Sequence, residues 1–169
     1  MNKSETDIRK ALLAGVTTAL EGMVFEEVEP ADTKNIFDDF NSKLFLVYSP
    51  IIDPLMGIFL LAVPENTAKT VTINVYGKAD MNPDKSLITD TLKEIINTAS
   101  GCFMRNYLGY SANFSLGLSV AKWGKIPELE RSLAKIYIDL NGKYLMVEVA
   151  GKLDVDLPGT KENTPVANL

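Results

Sequence analysis

The chain has no histidine and a single cysteine, Cys102, among its 169 residues. The first absence excludes imidazole general-base catalysis and every Ser-His-Asp or Cys-His arrangement. Together the two exclude His- or Cys-built zinc sites, and one cysteine cannot form a disulfide framework within the chain. Positive charge is also scarce. Lys and Arg number 17 against 22 Asp and Glu, for a net charge of −5. That balance disfavours nucleic acid and anionic membrane surfaces, both of which call for a basic patch. Long apolar runs are missing as well: the stretch from Pro54 to Pro64 is far too short to cross a bilayer. The apolar segment Ala11–Val16 follows Glu5 and Asp7, is interrupted by Thr17 and Thr18, and leads to no small-residue cleavage site, so it does not read as a signal peptide. A cytoplasmic protein is expected. Its chemistry is confined to Asp, Glu, Lys, Arg, Ser, Thr, Tyr, Asn and the backbone.

A chain this long buries roughly 70% of its unfolded surface, enough for one self-sufficient core, and 46% hydrophobic residues suit a globular domain. One domain over residues 1–153 and a flexible, Pro- and Gly-containing tail over 154–169 are expected. Ser4 with Asp7 resembles a capping box, and Ile8, Leu12, Gly15, Val16, Ala19 and Met23 recur at helical spacing. Val24–Val28 alternates as a strand, and Asp32–Phe40 reads as a loop or short helical turn. Leu44–Tyr48 and Leu55–Val63 read as strands joined by a turn over Ser49–Pro54. Pro64–Tyr76 is ambiguous between strand and helix. Asn113–Leu118 reads as a strand, Trp123–Glu130 as a polar connection, and Lys135–Leu140 with Lys143–Val149 as a hairpin turned by Asn141-Gly142. A helix followed by strands occurs in each half, which suggests a degenerate duplication. The adjacent acidic pairs Glu26-Glu27 and Asp38-Asp39 read as solvated charge.

The strongest signal is a long helix from about Ser86 to Leu108, closed by Gly109. At about 100° per residue, Ile88, Leu92, Ile95, Ile96, Ala99, Cys102 and Phe103 form its core stripe. Asp90, Glu94, Asn97 and Gly101 gather on the opposite side as one exposed ridge. Such a ridge is ordinarily just the solvated face of an amphipathic helix. Asn97 and Gly101 are nevertheless poor helix formers, Gly by about 1 kcal/mol, and the apolar stripe runs through this weak patch unbroken. A binding site or a tight packing contact would produce that pattern. Trp123 reads as core or as a half-exposed anchor. Arg105 reads as a neutraliser of the ridge or as a helix-end cation.

Asp90-x-x-x-Glu94-x-x-Asn97, followed by Gly101, resembles the signature helix of the CheC/CheX/FliY chemotaxis phosphatases, CheX above all. Leu20-Glu21-Gly22-Met23-Val24-Phe25 resembles the start of the same domains. Where that family has a proline about 22 residues beyond the asparagine, this chain has Ser119, within Leu116-Gly117-Leu118-Ser119. The resemblance implies an α+β fold with long helices on a mainly antiparallel sheet, and a helix over Pro64–Tyr76. It also implies a homodimer with strands pairing across subunits. The implied activity is hydrolysis of the aspartyl phosphate of a CheY-type response regulator. Asn97 would orient the water, Glu94 would engage the regulator's lysine, and Asp90 and Gly101 would serve docking. The protein would carry no cofactor of its own, Mg²⁺ coming from the phosphorylated regulator. The alternative is a non-catalytic CheC-like module that docks a receiver domain or a flagellar switch component, with Met104 at the edge of the same ridge. An unrelated carboxylate hydrolase is the remaining reading, though no second convergent carboxylate pair is evident.

Overall fold

The computed structural model describes residues 4–31 and 40–152; the tail over 154–169, and all but the last residue of the Asp32–Phe40 loop, lie outside them. Helix α1 (Glu5–Val24) opens on the expected capping box, with the Ser4 hydroxyl accepting from the Asp7 N–H and the Asp7 carboxylate accepting from the Ser4 N–H. The helix stops where Phe25 takes a left-handed conformation at φ 60°. Val24–Val28 is therefore not a strand; the strand that follows is the short β1 (Glu29–Pro30). Strands β2 (Leu44–Asp53) and β3 (Met56–Val63) form a hairpin. The turn expected over Ser49–Pro54 is confined to residues 54–55, because β2 continues through Pro50. Helix α2 (Glu65–Tyr76) begins at Pro64, whose fixed φ and missing N–H suit a helix start. Helix α3 (Lys85–Leu108) is capped by the Asp84 carboxylate on the Leu87 N–H and closed by Gly109 at φ 103°.

Strand β4 is only Ser115–Leu116, shorter than Asn113–Leu118. Strand β5 (Val120–Gly124) includes Trp123, which sequence placed in a polar connection. Phe45 meets the Trp123 ring edge-on at 4.7 Å, and the Lys85 ammonium lies over that ring. Strands β6 (Ser132–Leu140) and β7 (Lys143–Lys152) form the hairpin turned by Asn141-Gly142, both residues at positive φ, as a two-residue turn of this kind requires.

All pairings are antiparallel, and the sheet runs β1-β6-β7-β3-β2, with both β4 and β5 on the far edge of β2. This order has an internal two-fold character. The unit α1-β1-β2-β3 corresponds to α3-β5-β6-β7. Each unit lends its first strand to the other's hairpin, β1 on β6 and β5 on β2, and the two hairpins meet at β3 and β7. The duplication suggested by the sequence is thus present in the topology.

The helices cover one sheet face. Leu12, Val16 and Leu20 of α1 and Ile88, Leu92, Ile96 and Phe103 of α3 pack there on Val47, Phe59, Leu61, Val147 and Val149. Alternation sends Leu44, Leu46, Leu60, Ala62 and Met146 to the other face, where Ile126 and Leu129 of the 125–131 segment and Tyr137 cover them. Helices α1 and α3 cross at Gly15. A Cβ on that residue would lie 2.6 Å from the Phe103 nitrogen and 3.1 Å from the Ala99 carbonyl oxygen. Among the described residues, no helix is long and apolar enough to cross a membrane.

Candidate functional site

The core stripe of α3 is wider than a helical wheel gives. Besides Ile88, Leu92, Ile95, Ile96, Ala99 and Phe103, the fold buries Thr91, Ser100, Met104 and Tyr107. The reason is that α3 has neighbours on several sides at once: α1, α2 and the β2 end of the sheet. Two assignments change as a result. Met104 is 0% exposed and belongs to the main core, so it cannot be part of a docking edge. Cys102, expected in the core, is only half-buried.

The ridge itself survives the folding. Asp90 and Glu94 are exposed, Asn97 and Gly101 half-buried. The Lys93 ammonium stands 3.8 Å from the Asp90 carboxylate, whereas Glu94 has no ion pair among the described residues. A Cβ on Gly101 would meet nothing within 4 Å. The packing explanation for Gly101 therefore fails: no other element of the described chain needs it bare. What its missing side chain leaves is an open strip of helix backbone beside Asn97. Arg105, one turn on, is exposed and makes no ion pair with the ridge among the described residues. Nor is there, among those residues, a group of three carboxylate or thiol side chains able to hold a metal ion.

One residue enters the site with a role that no helical pattern predicts. The Ser119 hydroxyl donates to Asn97 Oδ1. The cause lies in β2. Tyr48 pairs with Val120 of β5, and Ile51 pairs with Leu116 of β4. Three residues, Gly117 to Ser119, thus stand opposite two, Ser49 and Pro50, which makes a β-bulge. The Pro50 carbonyl accepts from the Gly117 N–H at 2.8 Å, so the N–H that proline lacks is missing from that same edge, where the partner strand steps out of register. Only a residue without a Cβ sits easily at 117, since a methyl group would lie 3.1 Å from the Pro50 ring.

The extra residue reverses the alternation of the strand. Leu116 and Ala121 both pack toward the helix-side core, a pairing that strict alternation forbids across five positions. The reversal turns Leu118 out to 92% exposure and turns Ser119 in beneath α3, onto Asn97. With Oδ1 committed to Ser119, the Asn97 Nδ2 has no acceptor among the described residues and remains free to donate. Sequence reasoning saw Ser119 only as a departure from a proline. The available signal was Pro50 itself, a strand proline whose partner strand must break.

Other polar groups outside the ridge serve the fold. Glu26, read from sequence as solvated charge, accepts from Asn74 of α2 and from Asn141 of the β6–β7 turn, tying the end of α1 to both. Glu148 is buried on the outer sheet face, where the Lys135 ammonium lies 3.0 Å away.

No protein-family model matches the sequence, and no curated protein matches it. Solved structures do match. The chain superposes on CheX from Desulfovibrio desulfuricans with a TM-score of 0.66 at 18% identity, over 85% of this chain and 97% of that one. For CheX from Vibrio vulnificus the TM-score is 0.64 at 18% identity, over 85% and 97%. A chain of the CheX-CheY-BeF3-Mg²⁺ complex from Borrelia burgdorferi gives 0.61 at 18% identity, over 83% and 95%. The fold is that of the CheC/CheX/FliY chemotaxis proteins, with CheX recurring among the neighbours.

Proposed function

We propose that this protein is a CheX-like phosphatase, which docks on the phosphorylated receiver domain of a CheY-type response regulator and hydrolyses its aspartyl phosphate. The single observation that carries this reading is the ridge: Glu94 and Asn97 one turn apart, both reachable from solvent, with bare backbone at Gly101 beside them. Phosphoryl transfer asks for positioning and charge stabilisation more than for covalent chemistry. Water attacks phosphorus in line, the bond between phosphorus and the aspartyl oxygen breaks, and inorganic phosphate and a free carboxylate result. A carboxamide suits the task of holding that water, because it hydrogen-bonds without titrating. Asn97 takes this role. Glu94 pairs with a lysine of the receiver and fixes the register. Asp90 and Gly101 widen the docking surface. The two exposed carboxylates of the ridge, one of them already facing Lys93, do not build a cation cage. Mg²⁺ is on this reading the receiver's own, supplying charge neutralisation at the phosphoryl group.

A homodimer with sheets continued across subunits, and a cytoplasmic location, come with the same reading; light scattering in solution tests the first. The decisive experiment is loss of phosphate from a phosphorylated CheY-type receiver with and without the protein. Wild type accelerates it. Asn97→Ala abolishes the acceleration while leaving circular dichroism unchanged, since the side chain is half-exposed on the outer face of the helix. Retention of the receiver by the wild type with no acceleration would instead establish the non-catalytic module.

A further inference from the structure

We infer that Ser119 is a positioning residue for Asn97: its hydroxyl locks the carboxamide with Oδ1 turned inward and Nδ2 presented to the docked partner. The inference rests on the phosphatase reading of Asn97 and goes beyond it, because it assigns a role to the residue by which this chain departs from the motif it resembles.

Three observations converge on it. The hydroxyl of Ser119 donates to Asn97 Oδ1 across 22 positions of sequence. The backbone that carries Ser119 is fixed independently of that bond, by the Gly117 N–H on the Pro50 carbonyl and by the pairing of Val120 with Tyr48. Asn97 has no other partner among the described residues. An asparagine on a half-exposed helix face otherwise turns freely about its terminal torsion, whose energy profile is broad and roughly two-fold. The hydrogen bond narrows its orientations to those that face Ser119, and in the one the structure shows Oδ1 accepts from the hydroxyl. Nδ2 then faces outward and donates to one lone pair of the attacking water's oxygen, which leaves the other lone pair for attack on phosphorus. Pre-organising a group in this way acts on the reaction step, not on docking. A proline at 119 could not do the same, having no donor on its side chain or nitrogen.

The test compares wild type, Ser119→Ala and Ser119→Thr, using a phosphorylated CheY-type receiver and side-chain amide NMR of each ¹⁵N-labelled full-length protein. Ser119→Ala is expected to lower kcat roughly tenfold, the scale of one lost hydrogen bond, with KM unchanged. Threonine, which keeps the hydroxyl, restores most of the rate. In parallel, the Asn97 side-chain amide is ordered in wild type and in Ser119→Thr and becomes mobile in Ser119→Ala. An Asn97 amide already mobile in wild type, or equally ordered in Ser119→Ala, overturns the role of Ser119 even in an active enzyme. A tenfold loss confined to KM, or one that threonine does not repair, overturns it too. A wild type that accelerates no receiver's dephosphorylation, with an Asn97 amide that still depends on Ser119, overturns the phosphatase reading instead.

Discussion

The same substitution, glycine to alanine, made inside each long helix is expected to change stability in opposite directions. By intrinsic propensity both changes should stabilise, by about 1 kcal/mol each. At Gly101 nothing opposes the gain, since the new methyl meets no atom within 4 Å. At Gly15 the methyl would lie 2.6 Å from the Phe103 nitrogen, 3.0 Å from its Cα and 3.1 Å from the Ala99 carbonyl oxygen. All three are backbone atoms of α3, so no side chain can swing aside. Restoring ordinary contact at 3.4 Å from 2.6 Å separates the helices by 0.8 Å. A gap of that order forfeits about a quarter to a half of the dispersion energy of the atoms that line it. The buried core residues that these two helices carry include Leu12, Val16, Ala19 and Ile96. With three backbone atoms in the way and none able to swing aside, the upper part of the overpacking range applies, about 2–3 kcal/mol, which exceeds the propensity gain. For a chain of this size 1 kcal/mol moves Tm by about 2–4 °C. Thermal unfolding followed by circular dichroism should therefore raise Tm by a few degrees for Gly101→Ala and lower it by a similar or larger amount for Gly15→Ala. Urea midpoints should shift the same way with unchanged slopes. A Gly15→Ala protein as stable as wild type would refute the close crossing. A destabilised Gly101→Ala would mean that another part of the molecule does pack on the ridge.

Three further outcomes follow from particular side chains. Met104→Ala should destabilise by about 2–5 kcal/mol, the range for emptying a core site, without selectively weakening receiver binding; a variant of normal Tm that binds poorly would return Met104 to the surface. Glu94→Gln should lower kcat/KM by about 10- to 100-fold, the scale of one charge-assisted hydrogen bond, and flatten its dependence on ionic strength; an unchanged salt slope would remove Glu94 from the docking contact. The Lys69 ammonium, hydrogen-bonded to Glu65 and 2.8 Å away, holds the Glu65 carboxyl below its ordinary value. A depressed folded-state value means that this pair stabilises above the unfolded value and loses its effect as pH falls through the folded one. Carboxyl NMR titration should show Glu65 returning toward the ordinary range in Lys69→Met.

Much of the fold was legible because its signals are local. The Asn141-Gly142 turn, the Ser4–Asp7 box and the Gly109 stop each specify their own few residues, and the structure keeps all three. The errors share a different origin. Pro50 looks like a strand breaker only to a reader of one strand; with β3 on the other edge, β2 continues and the break appears in its partner. Trp123 reads as the start of a connection because the residues after it, to Glu130, are mostly polar, yet its ring packs on Phe45 from a neighbouring strand. The wheel misplaced Met104 and Cys102 because it assumes one buried direction, and α3 has more than one neighbour.

The site follows the same division. Glu94 and Asn97 share a ridge by helical spacing alone, so sequence placed them together. Ser119 reaches Asn97 only through an extra residue in the edge strand, and that residue depends on Pro50, 69 positions away from it. The internal two-fold relation sharpens why the described residues hold one such site. Aligning the two long helices at their ends, Val24 with Leu108, puts Lys10 at the place of Glu94 and Leu13 at the place of Asn97. Lys10 inverts the charge, and Leu13 packs against the core where a carboxamide would have to face the solvent. Topology repeats the scaffold on both halves, but an acid, an amide and a strand bulge occur together on one. Restoring Glu and Asn at 10 and 13 would rebuild the ridge without the hydroxyl that orders it. On the argument for Ser119, such a doubled helix should gain receiver binding well before it gains any rate.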